Sequence, residues 1–302
     1  MKTSIYLSVL SILITSLIYQ SCDVIDGPYM TDDNTEPNDT STVVKKVLIE
    51  DFTGHRCQNC PDAATELASL QDFYGDKIIG IAIHPHTTFS IPSPLSQTSY
   101  TYDFRTKWGN EIDNIFDISS EGLPKGMVNR IGFSNNHRLG KDEWATMVQN
   151  ELQKDPIFGI NINSNVDNGN GIISVEVTSL VNLDEEYKLV VCLTENEIIN
   201  WQKYNTDIEN YEHNHVLRCL ITTTYGESIG TSFSNGDIWN KDYSINLSEL
   251  EQFNIDYSTN NLIMGNGNAG GWNEDNMEVV AYIYKVDNNE IVQVEEIHLT
   301  NN

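Results

Sequence analysis

Two cysteines, Cys57 and Cys60, are separated by two residues in a segment whose pattern suits thiol chemistry. The apolar run Val47–Ile49 leads through a short turn into Cys57, and Pro61 follows Cys60 where a helical pattern begins. A thiol at a helix N-terminus is close to unpaired backbone N–H groups and to the positive end of the helix dipole, which favour the thiolate. Two intervening residues bring the second sulfur within reach of a mixed disulfide at the first. Cys57 and Cys60 are therefore a candidate redox disulfide, in which Cys57 would attack and Cys60 would resolve.

The elements around the cysteines have the order of a thioredoxin-like core. Val43–Phe52 is predicted to be a strand, and apolar residues at helical spacing then predict a helix that ends at Gly75. Lys77–His84 is a nearly continuous apolar run, which is typical of a strand covered on both faces. A strand–helix–strand unit with Cys-x-x-Cys at the helix start is the setting of thioredoxin-like redox sites. We predict an α/β thioredoxin-like domain over residues 43–155, closed by a helix over Lys141–Leu152.

Histidines and an arginine near the cysteines suggest two further features. His55 and Arg56 are expected to place positive charge beside Cys57. His84 and His86 would complete a metal site with the cysteines, but structural zinc needs four ligands at regular spacings and we find no second pair. We therefore interpret the histidines as residues at a strand end, and we predict no metal site and no cofactor.

The segment of residues 84–120 is longer than a minimal thioredoxin-like core needs. We predict an inserted segment there, helical around Tyr102–Trp108 and Asn110–Phe116. Lys125–Ile131 is then predicted to be a strand, and Pro124 directly precedes it. Thioredoxin-like folds carry a cis-proline before such a strand, facing the Cys-x-x-Cys motif, and resemblance to them gives Pro124 this role. The alternative is an ordinary turn proline.

The second half of the chain has the pattern of an all-β domain. From Ile157 onward, apolar residues alternate with polar ones in about seven segments separated by turn signals. This pattern predicts an immunoglobulin-like β-sandwich over residues 156–302. Cys192 and Cys219 lie in two of the predicted strands. They would form a structural disulfide or remain two buried free thiols, and both alternatives stay open because connectivity cannot be derived from sequence.

The N-terminus has the pattern of an export signal. Ile5–Ile18 is mostly apolar but short for a transmembrane helix, and a small residue and Cys22 follow soon after it. We predict a signal peptide over residues 1–21 and lipidation of Cys22, as in bacterial lipoproteins, with ordinary secretion as the alternative. Residues 22–42 are acidic and poor in apolar residues, which predicts a disordered tether.

The charge balance excludes one class of partner. The net charge is −27, from 17 basic and 44 acidic residues. Such a surface repels nucleic acid, and no basic patch offsets it. With 39% hydrophobic residues, the chain can nevertheless form packed cores. We therefore predict a folded protein that does not bind nucleic acid.

Three segments together resemble one known family. They are FTGHRCQNCP at residues 52–61, GLPKGMVNR at residues 122–130 and YEHNHVLR at residues 211–218. The family is that of the outer membrane proteins named for a twenty-eight-kilodalton Gram-negative member. The resemblance implies a thioredoxin-like N-terminal domain, a C-terminal β-rich domain and export to the outer membrane or cell surface, often as a lipoprotein. It assigns the redox pair to Cys57 and Cys60 and the facing proline to Pro124.

Two functions are compatible with these features. In the first, the protein is a lipid-anchored envelope protein in which Cys57–Cys60 is a permanent disulfide and the β-sandwich binds a protein or glycan ligand. In the second, it is an active envelope thiol–disulfide oxidoreductase. The residues between the cysteines, Gln58 and Asn59, match neither the best-known reductase nor the best-known oxidase, so the direction of electron transfer is open. We favour the first function, because a protein beyond the periplasm would lack a reductant.

Overall fold

A computed structural model describes residues 43–300 of the 302-residue chain. The predicted signal peptide, the predicted lipidation residue Cys22 and the predicted tether lie outside the described residues. Residues 43–300 contain four α-helices and thirteen β-strands, so the fold is mixed α/β with strands predominating. A search of this range finds no helix with the length and apolar character needed to cross a membrane.

The bounds of the elements are as follows. The helices are α1 (Cys60–Tyr74), α2 (Lys107–Phe116), α3 (Lys141–Glu151) and α4 (Leu247–Asn261). The strands are β1 (Val47–Phe52), β2 (Ile78–Ile83), β3 (Lys125–Val128), β4 (Phe158–Asp167), β5 (Asn170–Ser179), β6 (Tyr187–Glu195), β7 (Ile198–Tyr204), β8 (Thr206–His213), β9 (Val216–Leu220), β10 (Glu227–Gly230), β11 (Ile238–Asn246), β12 (Met277–Lys285) and β13 (Ile291–His298).

The main sheet has eight strands in the order β13-β12-β6-β9-β2-β1-β3, with β10 paired to β6. β1 and β2 are parallel, and β3 pairs antiparallel with β1. β9 joins β2 through one residue pair, Ala82 with Val216, and the Ala82 N–H also donates to His215 O at 2.8 Å. Through this join the main sheet includes strands from both sides of residue 155. The chain from Val43 onward forms one compact unit.

Strand β1 is buried on both faces, as its apolar sequence requires. On one face, Leu48 and Phe52 pack in a core that includes residues of α2. On the other face, Val47 and Ile49 pack against α1 and α3. β2 is buried in the same way. Helices on both faces therefore enclose the strands that lead to the cysteines.

A second layer of strands covers part of the main sheet. The three-stranded sheet β11-β5-β4 shares one core with residues of β6, β9 and β12. Ten strands rather than about seven therefore follow residue 155. Eight of them form two β layers, one of which belongs to the main sheet, and β7 and β8 form a separate two-stranded sheet. Helix α4 was not predicted, because its buried residues include the polar Asn254 and Ser258 and its apolar pattern is weak.

The segment between β2 and β3 contains one α-helix where two were predicted. α2 begins at Lys107 because Thr106 caps it: the Thr106 Oγ1 accepts a hydrogen bond from the Gly109 N–H at 3.0 Å. The first part of the predicted helix over Tyr102–Trp108 is therefore not helical.

Strand β3 ends at Val128, before the predicted end at Ile131. Asn129 and Arg130 have φ angles of 47° and 55°, which are incompatible with a strand. After this turn, Arg130 is buried and donates to the Glu50 carboxylate at 2.6 Å.

Candidate functional site

Cys57 and Cys60 form a disulfide at the N-terminus of α1. Cys60 is the first residue of the helix, and Pro61 lies in the first turn, where its missing N–H removes no helical hydrogen bond. The Cys57 N–H donates to Gly54 O at 2.9 Å and closes the preceding turn. The exposed fractions of Cys57 and Cys60 are only 2% and 1%, so the disulfide is covered in this structure.

Asp51 lies near the end of β1, and its side chain is on the same side of the sheet as α1. Only 2% of the residue is exposed, and its Oδ1 has no hydrogen-bond partner. Burial raises the pKa of this carboxyl to about 7, because the charged form is disfavoured where water is excluded. Asp51 and Cys60 both line a cavity of about 300 Å³. A titrating group therefore lies behind the second cysteine.

Two buried histidines, His84 and His213, line the same cavity. The His84 ring stacks on Phe104 at a centroid distance of 4.7 Å, and neither of its ring nitrogens has a protein partner. The His213 ring centroid is 6.3 Å from that of His84, and the His213 Nε2 is also without a partner. Burial lowers the pKa of His213 to about 4 and holds that of His84 well below its ordinary value. At pH 7 the residues that line the cavity thus include two neutral imidazoles with ring nitrogens that have no protein partner.

The positive charge beside Cys57 comes from Arg56 and not from His55. The His55 ring is buried 5.5 Å from the Tyr100 ring, measured between centroids. Burial lowers the pKa of His55 to about 3, so the imidazole is neutral at pH 7 and the prediction of a charged His55 is wrong. The Arg56 guanidinium lies 5.5 Å from the centroid of the Tyr100 ring and donates to the Ser93 hydroxyl.

The hairpin of β7 and β8, residues 198–213, lies over the turn that contains the disulfide. The Lys203 N–H donates to His55 O at 2.8 Å. The Gln202 side chain is buried, and its Nε2 donates to Cys57 O at 3.0 Å and to Gly54 O at 3.3 Å. The hairpin is therefore bound directly to the backbone around Cys57.

Pro124 lies at the start of β3, after a cis peptide bond from Leu123. The next residue, Lys125, pairs with Phe52, the last residue of β1. Pro124 therefore lies beside the segment that leads from β1 into the turn of Cys57. Its role in facing a bound partner stays a prediction.

The two histidines considered as metal ligands have different surroundings. Whereas His84 stacks on Phe104, the His86 Nδ1 accepts a hydrogen bond from Arg105 Nη1 at 2.9 Å. Within residues 43–300, no group of three or more His, Cys, Asp or Glu side chains is arranged to hold a metal ion.

Comparison with protein families gives the chain a place among known proteins. The model of the family described as outer membrane protein Omp28 matches residues 110–268, which is more than half of the 302 residues. The chain belongs to the Omp28 family. The family resemblance found in three sequence segments is thereby confirmed, and so is the prediction of an exported protein located at the outer membrane.

Solved structures resemble this Omp28-family chain at low sequence identity. HBP35 of Porphyromonas gingivalis has a TM-score of 0.61 and 14% identity, covering 85% of this chain and 76% of that chain. Protein AGR_C_4864 from Agrobacterium tumefaciens has a TM-score of 0.49 and 10% identity, covering 86% and 96%. A domain of the outer membrane lipoprotein Omp28 from Porphyromonas gingivalis has a TM-score of 0.30 and 17% identity, covering 49% and 91%. No curated protein matches the sequence. The similarity to HBP35 shows a shared fold and nothing about activity.

In this member of the Omp28 family, Cys192 and Cys219 are buried free thiols and not a disulfide. They lie in the paired strands β6 and β9, where Cys192 is opposite Leu220 and Cys219 is opposite Leu193. Cys219 belongs to the core beneath the three-stranded sheet, whereas Cys192 belongs to the core on the other face. Side chains on opposite faces of a sheet cannot reach each other, which explains why the disulfide is not formed.

Two residues of the site in this Omp28-family chain, Asp51 and Gln202, were not predicted as site residues from the sequence. The sequence did contain a signal for Asp51, because this residue lies in an apolar strand that is expected to be buried. A carboxylate in such a strand requires either a partner or a function. Gln202 had no such signal, because its contact with Cys57 joins residues 145 positions apart.

Proposed function

We propose that the protein is an outer-membrane lipoprotein, anchored through Cys22, in which Cys57 and Cys60 exchange disulfides with partner proteins. The observation that carries this proposal is the buried, unpartnered carboxyl of Asp51 in the cavity that Cys60 also lines. An unpaired buried carboxyl lowers stability. A group with a strongly shifted pKa beside a reactive residue is typical of functional sites.

The oxidised pair has a complete route for accepting two electrons. A partner thiolate attacks the Cys57 sulfur, the Cys57–Cys60 bond breaks, and a partner–Cys57 mixed disulfide forms. Cys60 leaves as a thiolate and takes the proton of Asp51, which is partly protonated at neutral pH because its pKa is about 7. A second thiolate of the partner then attacks the partner sulfur of the mixed disulfide and releases Cys57 as a thiolate. The partner dithiol is oxidised to a disulfide, and Cys57–Cys60 is reduced to a Cys60 thiol and a Cys57 thiolate, which is in protonation equilibrium with water.

Two further features support a thioredoxin-like role for this part of the chain. The N-terminus of α1 favours a thiolate at Cys57 through its unpaired N–H groups and its dipole. The order of β1, α1, β2 and β3 around the two cysteines supports a thioredoxin-like core in this proposal. We also propose that the β layers after residue 155 are immunoglobulin-like. Their role in this proposal is to bind a protein or glycan ligand.

The test is the reduction potential of Cys57–Cys60. The full-length protein in detergent is equilibrated with glutathione redox buffers, and its thiols are then trapped and counted by mass spectrometry. Because the measurement is made at equilibrium, a covered disulfide that reacts slowly does not alter it. We expect a potential above about −300 mV, the approximate upper limit for permanent structural disulfides.

Two variants complete this test. Cys57→Ser should abolish the exchange, whereas Cys192→Ala should leave it unchanged because Cys192 lies in a separate buried core. A disulfide that glutathione does not open would contradict the proposal. It would support a permanent disulfide and a binding function for the β layers.

A further inference from the structure

We propose that the hairpin of β7 and β8 is a lid that must open before a partner protein can reach Cys57. In the closed form, the hairpin binds the backbone carbonyls that an extended segment of the partner would bind in the open form. This inference rests on the proposed disulfide exchange, and it adds to it a control of access and a requirement on the shape of the partner.

The hydrogen bonds of the hairpin reach the turn before the disulfide. The Lys203 N–H and the Gln202 amide together bind three backbone carbonyls, those of His55, Gly54 and Cys57. All three acceptors lie in the turn that leads into the Cys-x-x-Cys motif. An extended peptide could satisfy the same carbonyls with its own N–H groups, as in recognition by strand addition.

Cys57, the residue whose sulfur must be attacked, is buried. Thiol–disulfide exchange requires a thiolate to approach one sulfur of the bond directly, so the rate depends on access. Cys57 is 2% exposed. In the closed form, a protein thiol therefore cannot reach it.

The hairpin buries few apolar side chains. In β7 and β8 only Gln202 and His213 are buried, and both are polar. The two strands pair with each other and with no further strand among residues 43–300. Elements with few buried apolar contacts open at a lower free energy than the core strands. The hairpin can therefore open while the main sheet stays folded.

A contact at the edge of the hairpin supports its closed position. The Tyr100 hydroxyl donates to Asp207 Oδ1 at 2.9 Å. This contact joins the start of β8 to the loop before α2.

The test compares Gln202→Leu with Lys241→Ala in the full-length protein in detergent. The Leu side chain has a similar size but no donors, so the closed form loses two hydrogen bonds to the turn. Lys241→Ala, in the three-stranded sheet, removes an exposed ion pair with Glu227 and leaves every contact of the hairpin in place. The rate of Cys57–Cys60 reduction by dithiothreitol is followed by thiol trapping.

We expect reduction to be about tenfold faster in Gln202→Leu, given the usual contribution of one or two hydrogen bonds. Lys241→Ala should react at the wild-type rate. Equal rates in wild type and Gln202→Leu would overturn the lid.

A second measurement needs no substitution. Hydrogen exchange of the wild-type protein should show the Lys203 amide exchanging at least tenfold faster than the amides of β1 and β12, because the lid opens without global unfolding. An Lys203 amide as protected as those core amides would overturn the inference.

Different experimental results would contradict the lid and the proposed disulfide exchange. A Cys57–Cys60 potential too low for glutathione would remove the proposed exchange. Dithiothreitol in large excess is a stronger reductant than glutathione, so the ratio of its rates would still decide the lid, and hydrogen exchange of the Lys203 amide decides it without any reduction.

Discussion

Glu50 and Asp51 are adjacent in β1 and both are buried, but only the Glu50 carboxylate has a charged partner. Arg130 donates to both oxygens of Glu50, at 2.6 and 2.8 Å, whereas Asp51 Oδ1 has no partner. Successive side chains of a strand point to opposite faces. β1 therefore carries a buried ion pair on one face and a titrating carboxyl behind the disulfide on the other.

The unpaired carboxyl of Asp51 makes the free energy of unfolding depend on pH. Its pKa is about 7 in the folded protein and 3.8 ordinarily, so folding strengthens proton binding. The stability contributed by this proton is complete at low pH and is lost as the pH rises through the range between the two values. Asp51→Asn should therefore gain stability relative to wild type from about pH 4 to about pH 7, by up to about 4 kcal/mol. Urea denaturation at a series of pH values measures this difference.

Glu50→Gln is the matched control for that series. It should be less stable than wild type throughout neutral pH, because it leaves Arg130 buried without its carboxylate. If the stability difference between Asp51→Asn and wild type were the same at about pH 5 and about pH 8, Asp51 would have an ordinary pKa. Its assignment as the proton donor to Cys60 would then be wrong.

His84 is expected to destabilise the protein, because both of its ring nitrogens are buried without partners. His84→Phe keeps an aromatic ring against Phe104 and should raise stability at pH 7 by about 1–3 kcal/mol. Burial lowers the pKa of His84, so the unfolded chain binds a proton that the folded chain does not, and stability is lost as the pH falls below 6.5. The variant should lose stability less steeply on acidification. A drop in stability at pH 7 would show that the nitrogens have partners in solution.

The order of elements around the disulfide could be predicted because its signals are local. The apolar run of β1, the helical spacing after Pro61 and the apolar run of β2 each lie within a few turns of chain. The position of Cys60 at the start of α1 follows from them. The burial of His55 is not a local property, and its residue type alone therefore led to a wrong prediction of its charge.

The parts that could not be predicted depend on contacts between distant residues. Nothing near Val216 indicates that it pairs with Ala82 and joins the two halves of the main sheet. The Gln202 side-chain amide donates a hydrogen bond to Cys57 O. A contact of this kind leaves no pattern in the sequence. A domain boundary derived from periodicity cannot detect such joins, because a strand has the same alternation whichever sheet it enters.

The buried pair of Arg130 and Glu50 gives a last prediction, which concerns the stability of the main sheet. The Arg130 guanidinium also lies 4.5 Å from the centroid of the Phe116 ring and donates to the Tyr282 hydroxyl at 2.8 Å. Arg130→Met fills a similar volume but leaves Glu50 buried without a partner. Removing one member of a buried pair costs about 3–5 kcal/mol, and we expect a loss of this size in urea denaturation.

Arg138→Met is the control, because Arg138 also binds two carboxylates, those of Asp117 and Glu121, but at the surface. Exposed ion pairs contribute little, so this variant should unfold close to the wild-type urea midpoint. Both variants should keep the wild-type denaturant slope, since the surface exposed on unfolding is unchanged. If Arg130→Met lost as little stability as Arg138→Met, the Glu50 carboxylate would reach water when Arg130 is removed. The strands that hold Asp51 and the disulfide would then be less tightly packed than the structure shows.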